Sequence, residues 1–189
     1  MLVAFPPLGY LSLAAEGYLR ALGLEVITPP PTSRRTLDLG VRYCPEMICT
    51  PCKLLFGNYV EAAEQGADTL IMLGGRGTCR LGYSVRQQAE MLAELGYHCR
   101  VLTLDLYHLR EEFLRLTREL TAGRPILQWI GPIRFLLELL SLLDEIEAML
   151  LYLRPRELER GAADRAYAQA LQRVTAPVSY THLTLPTKA

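Results

Sequence analysis

The sequence predicts an α/β fold, a mainly parallel sheet with flanking helices, followed by a helical C-terminal part. Short apolar runs typical of buried strands alternate with segments in which apolar residues recur at helical spacing. Glycines and prolines stand at the junctions between these segments. Strands that alternate with helices of this length form βαβ units, whose crossover helices make neighbouring strands parallel.

Four strands are predicted in the first part of the chain. Each is a short run of mostly apolar or β-branched residues, a composition that suits a buried strand. In chain order, the predicted strands are Leu2–Phe5, Glu25–Thr28, Thr69–Leu73 and Cys99–Leu104.

Helices are predicted where apolar residues recur every three or four positions, and three of them end at a glycine. The predicted helices are Tyr10–Leu22, Thr36–Val41, Lys53–Gln65, Val85–Leu95, and about 108–122, 132–153 and 155–173. The segment Cys44–Cys52 contains two prolines and three cysteines and is predicted to be a loop. We therefore expect an α/β cysteine-containing domain over 1–106 and a helical extension over 107–177.

The last twelve residues, 178–189, do not continue the helical pattern. They resemble the translation of a sequencing adapter, so we expect a non-native tail and a natural chain that is cut near Pro177. A disordered natural tail is the alternative, since chain ends are commonly disordered.

Composition and charge exclude several classes of protein. Of the 189 residues, 50% are hydrophobic and 21% charged, which is typical of a globular protein and excludes disorder of the whole chain. Twenty basic and twenty acidic residues balance, so the sequence does not indicate a nucleic-acid partner. The N-terminus has no basic region and its apolar run ends at Pro6, so no secretory signal is expected and the localisation is predicted to be cytoplasmic.

The most apolar stretch, Ile133–Leu153, could be mistaken for a membrane span. It contains five charged residues, and each charge near a bilayer centre costs on the order of 3 kcal/mol. We predict a soluble amphipathic helix and no membrane partner. The stripe expected to be buried consists of Ile133, Leu136, Leu137, Leu140, Leu143, Ile146 and Leu150. A partner-docking surface is the alternative use of the same pattern.

The main chemical signal is a set of four cysteines. Cys44, Cys49 and Cys52 are separated by four and two residues, and Cys79 follows after a further 26. This spacing can place thiolates on neighbouring iron atoms of an iron–sulfur cluster, with the distant cysteine closing the cage. Four cysteines also bind zinc tetrahedrally, although structural zinc sites more often contain two close pairs. A chain without metal is the third alternative.

The fifth cysteine is predicted to lie outside this site. Cys99 falls on a predicted strand, where a free cysteine behaves as a small hydrophobic residue. An odd number of cysteines without an export signal also argues against a disulfide framework.

A glycine-rich segment follows the third predicted strand at its carboxyl end, where sites form in parallel sheets. It contains Gly74, Gly75 and Gly77, but Arg80 occupies the third glycine position of the dinucleotide-binding motif, and the sequence contains no P-loop. We expect the three glycines to bind the cofactor by letting the backbone approach the cluster and donate N–H groups to its sulfurs.

Residues 43–97 also carry a family signature. Its main features are Pro45-Glu46, Cys49, Pro51, Lys53, Gly57-Asn58, Glu61-Ala62, Gly66-Ala67-Asp68 and the glycine-rich segment that ends at Cys79. This pattern resembles the CoA-substrate-specific enzyme activase-related proteins of the 2-hydroxyacyl-CoA dehydratase and benzoyl-CoA reductase component superfamily. Many members have Gly-Gly-Cys-Gly-Pro-Cys where this chain has Arg76 and Thr78. Only Cys49 and Cys79 are therefore matched family cysteines, and Cys44 and Cys52 rest on the spacing.

The resemblance implies a Rossmann-like fold, a [4Fe–4S] cluster and a component or activator of a 2-hydroxyacyl-CoA dehydratase-like system. Low-potential electron transfer or activation for anaerobic CoA-thioester chemistry would be its function, with a redox or activase protein as partner and a CoA thioester as ligand. The alternative is a non-enzymatic scaffold or partner-docking module that is stabilised by a metal such as zinc.

Overall fold

A computed structural model of the chain describes residues 1–28, 30–75, 79–105 and 107–175. The chain divides into two compact units, residues 1–136 and 137–189. The predicted tail, 178–189, and the glycine-loop residues 76–78 lie outside the described residues.

Four parallel strands form one sheet in the described part of the first unit. They are β1 (Leu2–Ala4), β2 (Glu25–Ile27), β3 (Thr69–Gly74) and β4 (Arg100–Asp105). The strand order is β2-β1-β3-β4, and β3 pairs with β4 from Thr69 opposite Arg100 to Gly74 opposite Asp105. The predicted α/β class with a parallel sheet is confirmed. The chain turns to opposite sides of β1 to form β2 and β3, which creates the kind of switch point where ligands bind in such sheets.

Seven α-helices lie in the described part of the chain. They are α1 (Tyr10–Ala21), α2 (Arg34–Tyr43), α3 (Thr50–Glu64), α4 (Arg80–Glu94), α5 (Leu109–Leu120), α6 (Ile130–Leu153) and α7 (Ala162–Thr175). The helical C-terminal part is thus confirmed.

Hydrophobic residues pack on both faces of the sheet because successive strand residues point to opposite sides. Val3 and Ile71 belong to one core cluster together with residues of α1 and α5. Ala4 and Leu70 belong to a second cluster together with residues of α3 and α4. The α3–α4 layer therefore covers one face of the sheet.

The helices α2, α3 and α4 begin earlier than predicted. α2 begins earlier because Ser33 and Thr36 form a reciprocal capping box at its N-terminus. α3 begins at Thr50 rather than Lys53, since a proline in the first helical turn, here Pro51, needs no intrahelical N–H donor. α4 begins at Arg80, five residues before the predicted start.

The last predicted helix is shorter than expected. Arg154–Arg156 forms a 3-10 turn around Pro155, and Gly161 adopts a left-handed φ of 81° immediately before α7. Both features interrupt an α-helix. Glu157 accepts hydrogen bonds from the backbone N–H groups of Gly161 and Ala163 and so caps the start of α7.

The amphipathic stripe of α6 is partly buried. Leu143 and Leu150 are buried, Ile133, Leu136, Leu140 and Ile146 are half-buried, and Leu137 is exposed, contrary to prediction. The segment Ile126–Arg156 is long and apolar enough to cross a membrane by length and composition alone, with a mean hydropathy of 1.5 over an 18-residue window. One such helix is weak evidence for a span, and 11% of that window is buried.

Candidate functional site

The candidate site lies where α3 and α4 begin, on the side of the sheet at which the strands end. α4 follows the carboxyl end of β3, and α3 runs back toward the start of the same strand. The two helices pack against each other. The first turns of both helices, with the loop before each, therefore lie near one edge of the sheet.

Cys49 and Cys79 occupy equivalent positions in this arrangement. Cys49 is the N-cap residue of α3, Cys79 is the N-cap residue of α4, and both side chains are exposed. Neither side chain makes a capping hydrogen bond. The N-terminus of a helix carries a partial positive charge and free N–H donors, so both sulfurs lie where anionic groups are stabilised.

Cys44 and Cys52 have the opposite environment. Cys44 ends α2 and Cys52 lies in the first turn of α3, so the predicted loop comprises only residues 44–49. Both thiols are buried, with exposures of 7% and 0%. Burial, together with the nearby Cys52 thiol, raises the pKa of Cys44 to about 11, and Lys53 partly opposes this shift. At neutral pH, Cys44 is therefore a protonated thiol in the absence of a bound cation.

Gln88 contacts Cys52 from the neighbouring helix. Its Nε2 donates a hydrogen bond to Cys52 Sγ over 2.9 Å, and Gln88 is itself only 3% exposed. Gln88 was not among the residues predicted from the sequence to form the site. A signal was available, because Gln88 shares the apolar spacing of Val85 and Leu92 and so places an amide at a core position.

The glycine-rich segment brings three backbone stretches together. Gly75 has a φ of 137°, and a Cβ there would collide with the Asp105 carboxylate. A Cβ on Gly82 in α4 would collide with the carbonyl oxygen of Gly75. The Gly75 backbone therefore lies close to α4 and to Asp105, whereas Gly74 packs against the side chains of Thr103 and Val85. The predicted approach of this backbone to a cluster stays a prediction. Gly77 lies outside the described residues.

Asp105 is a second polar group that sequence reasoning missed. It ends β4 beside Gly75, accepts a hydrogen bond from the backbone N–H of Tyr107 over 2.8 Å, and lies 3.5 Å from His108 Nδ1. The Tyr107 N–H, with a smaller contribution from His108, lowers the pKa of the Asp105 carboxyl. Asp105 thus adds negative charge to the edge of the sheet that carries Gly75.

A surface cavity borders the cysteine loop. Its volume is about 350 Å³. It is lined by Pro45, Met47 and Ile48 of the loop and by Tyr83, Ser84 and Gln87 of α4. The exposed side chains of Met47 and Tyr83 make its mouth apolar.

The candidate metal ligands of the site are four thiols. Thiolate ligands suit a soft metal or an iron–sulfur cluster. As placed in the described residues, no three Cys, His, Asp or Glu side chains form a group that could hold a metal ion. Cys44 and Cys52 interact electrostatically, whereas Cys49 and Cys79 lie at the surface. Convergence of all four sulfurs stays a prediction.

Cys99 lies at the opposite edge of the sheet. It immediately precedes β4, so it stands where that strand begins, whereas Cys79 follows the end of parallel β3. The Cys99 thiol donates to the carbonyl oxygen of Ala67 over 3.2 Å and packs against the second core cluster. These contacts explain its presence without a role at the site.

Comparison with models of known protein families shows to which family the chain belongs. The model of the CoA enzyme activase uncharacterised domain (DUF2229) matches residues 10–176, which include all four site cysteines and Gln88. The chain belongs to this family. The family description links the chain to acyl-CoA activation systems, which is the coarser part of what the resemblance implied. No curated protein and no solved structure matches the chain.

Proposed function

We propose that this chain is an iron–sulfur protein, with a [4Fe–4S] cluster bound by Cys44, Cys49, Cys52 and Cys79. Its function would be low-potential electron transfer or activation for anaerobic CoA-thioester chemistry in the cytoplasm. An activase or dehydratase-like enzyme would be its protein partner, and a CoA thioester the substrate of the system.

The observation that carries this proposal is the placement of Cys49 and Cys79. Two exposed thiols lie at the N-cap positions of two helices that pack against each other. Helix N-termini stabilise anionic groups, and a cluster ligated by four thiolates carries a net negative charge. Cytoplasmic conditions keep such thiols reduced and available for a metal.

The chain's own residues would have distinct tasks. Cys49 and Cys79 are accessible to iron, and Cys44 and Cys52 would supply ligands from the protein interior. The backbone of Gly75 lies close to α4 without an intervening side chain. When bound, a [4Fe–4S] cluster accepts and donates single electrons, which is the chemistry that the proposed function requires.

Anaerobic reconstitution with iron and sulfide tests the proposal. We expect the wild-type chain to take up about four iron and four sulfide per protein, the composition of a [4Fe–4S] cluster. Cys49→Ala and Cys79→Ala should abolish this uptake, whereas Cys99→Ala should retain it as the matched control. Iron and sulfide analysis measures this uptake in each variant, and electron paramagnetic resonance of the reduced protein detects the cluster.

Zinc is the alternative that the same experiment separates. Thiolates bind zinc as readily as iron, and a zinc-stabilised scaffold would need no redox activity. Stoichiometric zinc without sulfide uptake, or full iron and sulfide uptake by Cys49→Ala and Cys79→Ala, would contradict the iron–sulfur proposal.

A further inference from the structure

Gln88 is a buried amide that faces a sulfur atom. It lies between Val85 and Leu92 on the core-facing side of α4, and its Nε2 is 2.9 Å from Cys52 Sγ and 3.4 Å from the carbonyl oxygen of Cys52. Burying a carboxamide among apolar residues costs free energy unless its donors are satisfied. Both contacts of this nitrogen are to Cys52, so the amide is oriented by that single residue.

We propose that Gln88 is a positioning residue for Cys52, whose sulfur it holds through a hydrogen bond when Cys52 binds a metal. This inference rests on the proposed function, because it takes Cys52 to be a ligand.

Burial explains why a protein donor is needed. Cys52 is 0% exposed, so water cannot donate to its sulfur. Lys53, the adjacent cation, donates instead to the carbonyl oxygen of Glu46 over 3.1 Å. The Gln88 N–H is therefore the side-chain donor that the described residues offer to this sulfur.

The expected consequence follows from how metal ligands are supported. Groups that hydrogen-bond to a ligand orient it, and their loss typically lowers metal affinity about 10- to 100-fold. Hydrogen bonds to cluster sulfurs also raise the reduction potential, since they stabilise the more negative reduced state. Loss of Gln88 should therefore weaken metal binding and lower the potential of a reconstituted cluster.

The test compares Gln88→Leu with Gln169→Leu, the same change in α7, where the side chain is exposed. Apoprotein is titrated anaerobically with Co²⁺, whose thiolate charge-transfer absorption reports ligation. We expect Gln88→Leu to lower Co²⁺ affinity about 10- to 100-fold and Gln169→Leu to leave it unchanged. Gln88→Met, which keeps the side-chain length but has no donor, should lower it as well and serves if the leucine variant does not fold.

A double-mutant cycle separates positioning from a general structural role. If Gln88 acts through Cys52, the effect of Gln88→Leu should disappear in a Cys52→Ala background. The same loss of affinity in both backgrounds would overturn the inference. Unchanged Co²⁺ affinity and unchanged reduction potential in Gln88→Leu would overturn it too, while leaving the proposed cluster intact. A wild-type chain that takes up neither Co²⁺ nor iron and sulfide would overturn the proposed function, and this inference with it.

Discussion

The four site cysteines form two pairs with opposite surroundings. Cys49 and Cys79 are exposed at the N-termini of α3 and α4, whereas Cys44 is buried at the end of α2 and Cys52 is buried in the first turn of α3. Buried and exposed cysteines alternate along the chain, so spacing alone cannot distinguish the two pairs. Helix boundaries and helix packing determine which thiols meet solvent and which meet the core.

The largest effect on stability is expected at the contact between α2 and α3, the two helices that carry the buried cysteines Cys44 and Cys52. A Cβ on Gly57 in α3 would collide with the backbone carbonyl oxygen of Thr36 in α2, and α2 cannot yield without moving as a helix. We expect Gly57→Ala to destabilise the fold by about 3 kcal/mol or more. It should also expose Cys44, which ends α2.

Gly131→Ala is the matched control for this change. A Cβ at Gly131 in α6 meets nothing within 4 Å and the glycine does not adopt a positive φ. Replacement by alanine should be neutral or stabilise the helix by about 0.5–1 kcal/mol. Urea unfolding measures both variants, and equal stabilities would show that α2 and α3 tolerate a wider separation than the structure indicates.

Alkylation of the native, metal-free protein tests directly whether the two pairs of cysteines differ in exposure. Iodoacetamide reacts with accessible thiolates, and burial leaves Cys44 and Cys52 reactive only through local opening. We expect both to react at least about 100-fold more slowly than Cys49 and Cys79, because opening the core costs several kcal/mol. Mass spectrometry of peptides at successive times gives the four rates, and urea-unfolded protein provides the control. Similar rates for all four thiols would abolish the distinction between the pairs.

The fold was largely predictable because its strands are short apolar runs. All four strand predictions lie within about two residues of the observed bounds, since Gly and Pro mark their ends. The start of α3 was not predicted, because Pro51 was interpreted as a loop residue although it suits a first helical turn. This one boundary moves Cys52 from a loop into the protein core.

The candidate site was less predictable because its details depend on contacts between distant segments. Spacing identified the four cysteines, and family resemblance singled out Cys49 and Cys79, the two that the structure exposes. Neither signal pairs Cys52 with Gln88, which lies 36 residues away. Asp105 was missed for the same reason, since its proximity to Gly75 arises only when β3 and β4 pair.

The smallest expected effect concerns Asp105, which lies beside the strand end that leads to Cys79. Its pKa is lowered in the folded state, because the Tyr107 N–H, and to a lesser extent His108, favour the carboxylate. A lowered pKa means that the charged form contributes stability above the pKa of the unfolded chain, which is about 3.9, and that this contribution is lost as the pH falls through the folded pKa. Asp105→Asn keeps an acceptor for Tyr107 but cannot titrate. We therefore expect the melting temperature of the wild type to fall slightly more than that of Asp105→Asn between neutral pH and about pH 3. The effect should be small because solvent reaches the carboxylate, and calorimetry at a series of pH values measures it. If the melting temperatures of the two proteins changed in parallel with pH, the Asp105 contacts would not persist in solution. The end of β3, which leads to the exposed Cys79, would then be less well ordered than the surroundings of the buried cysteines.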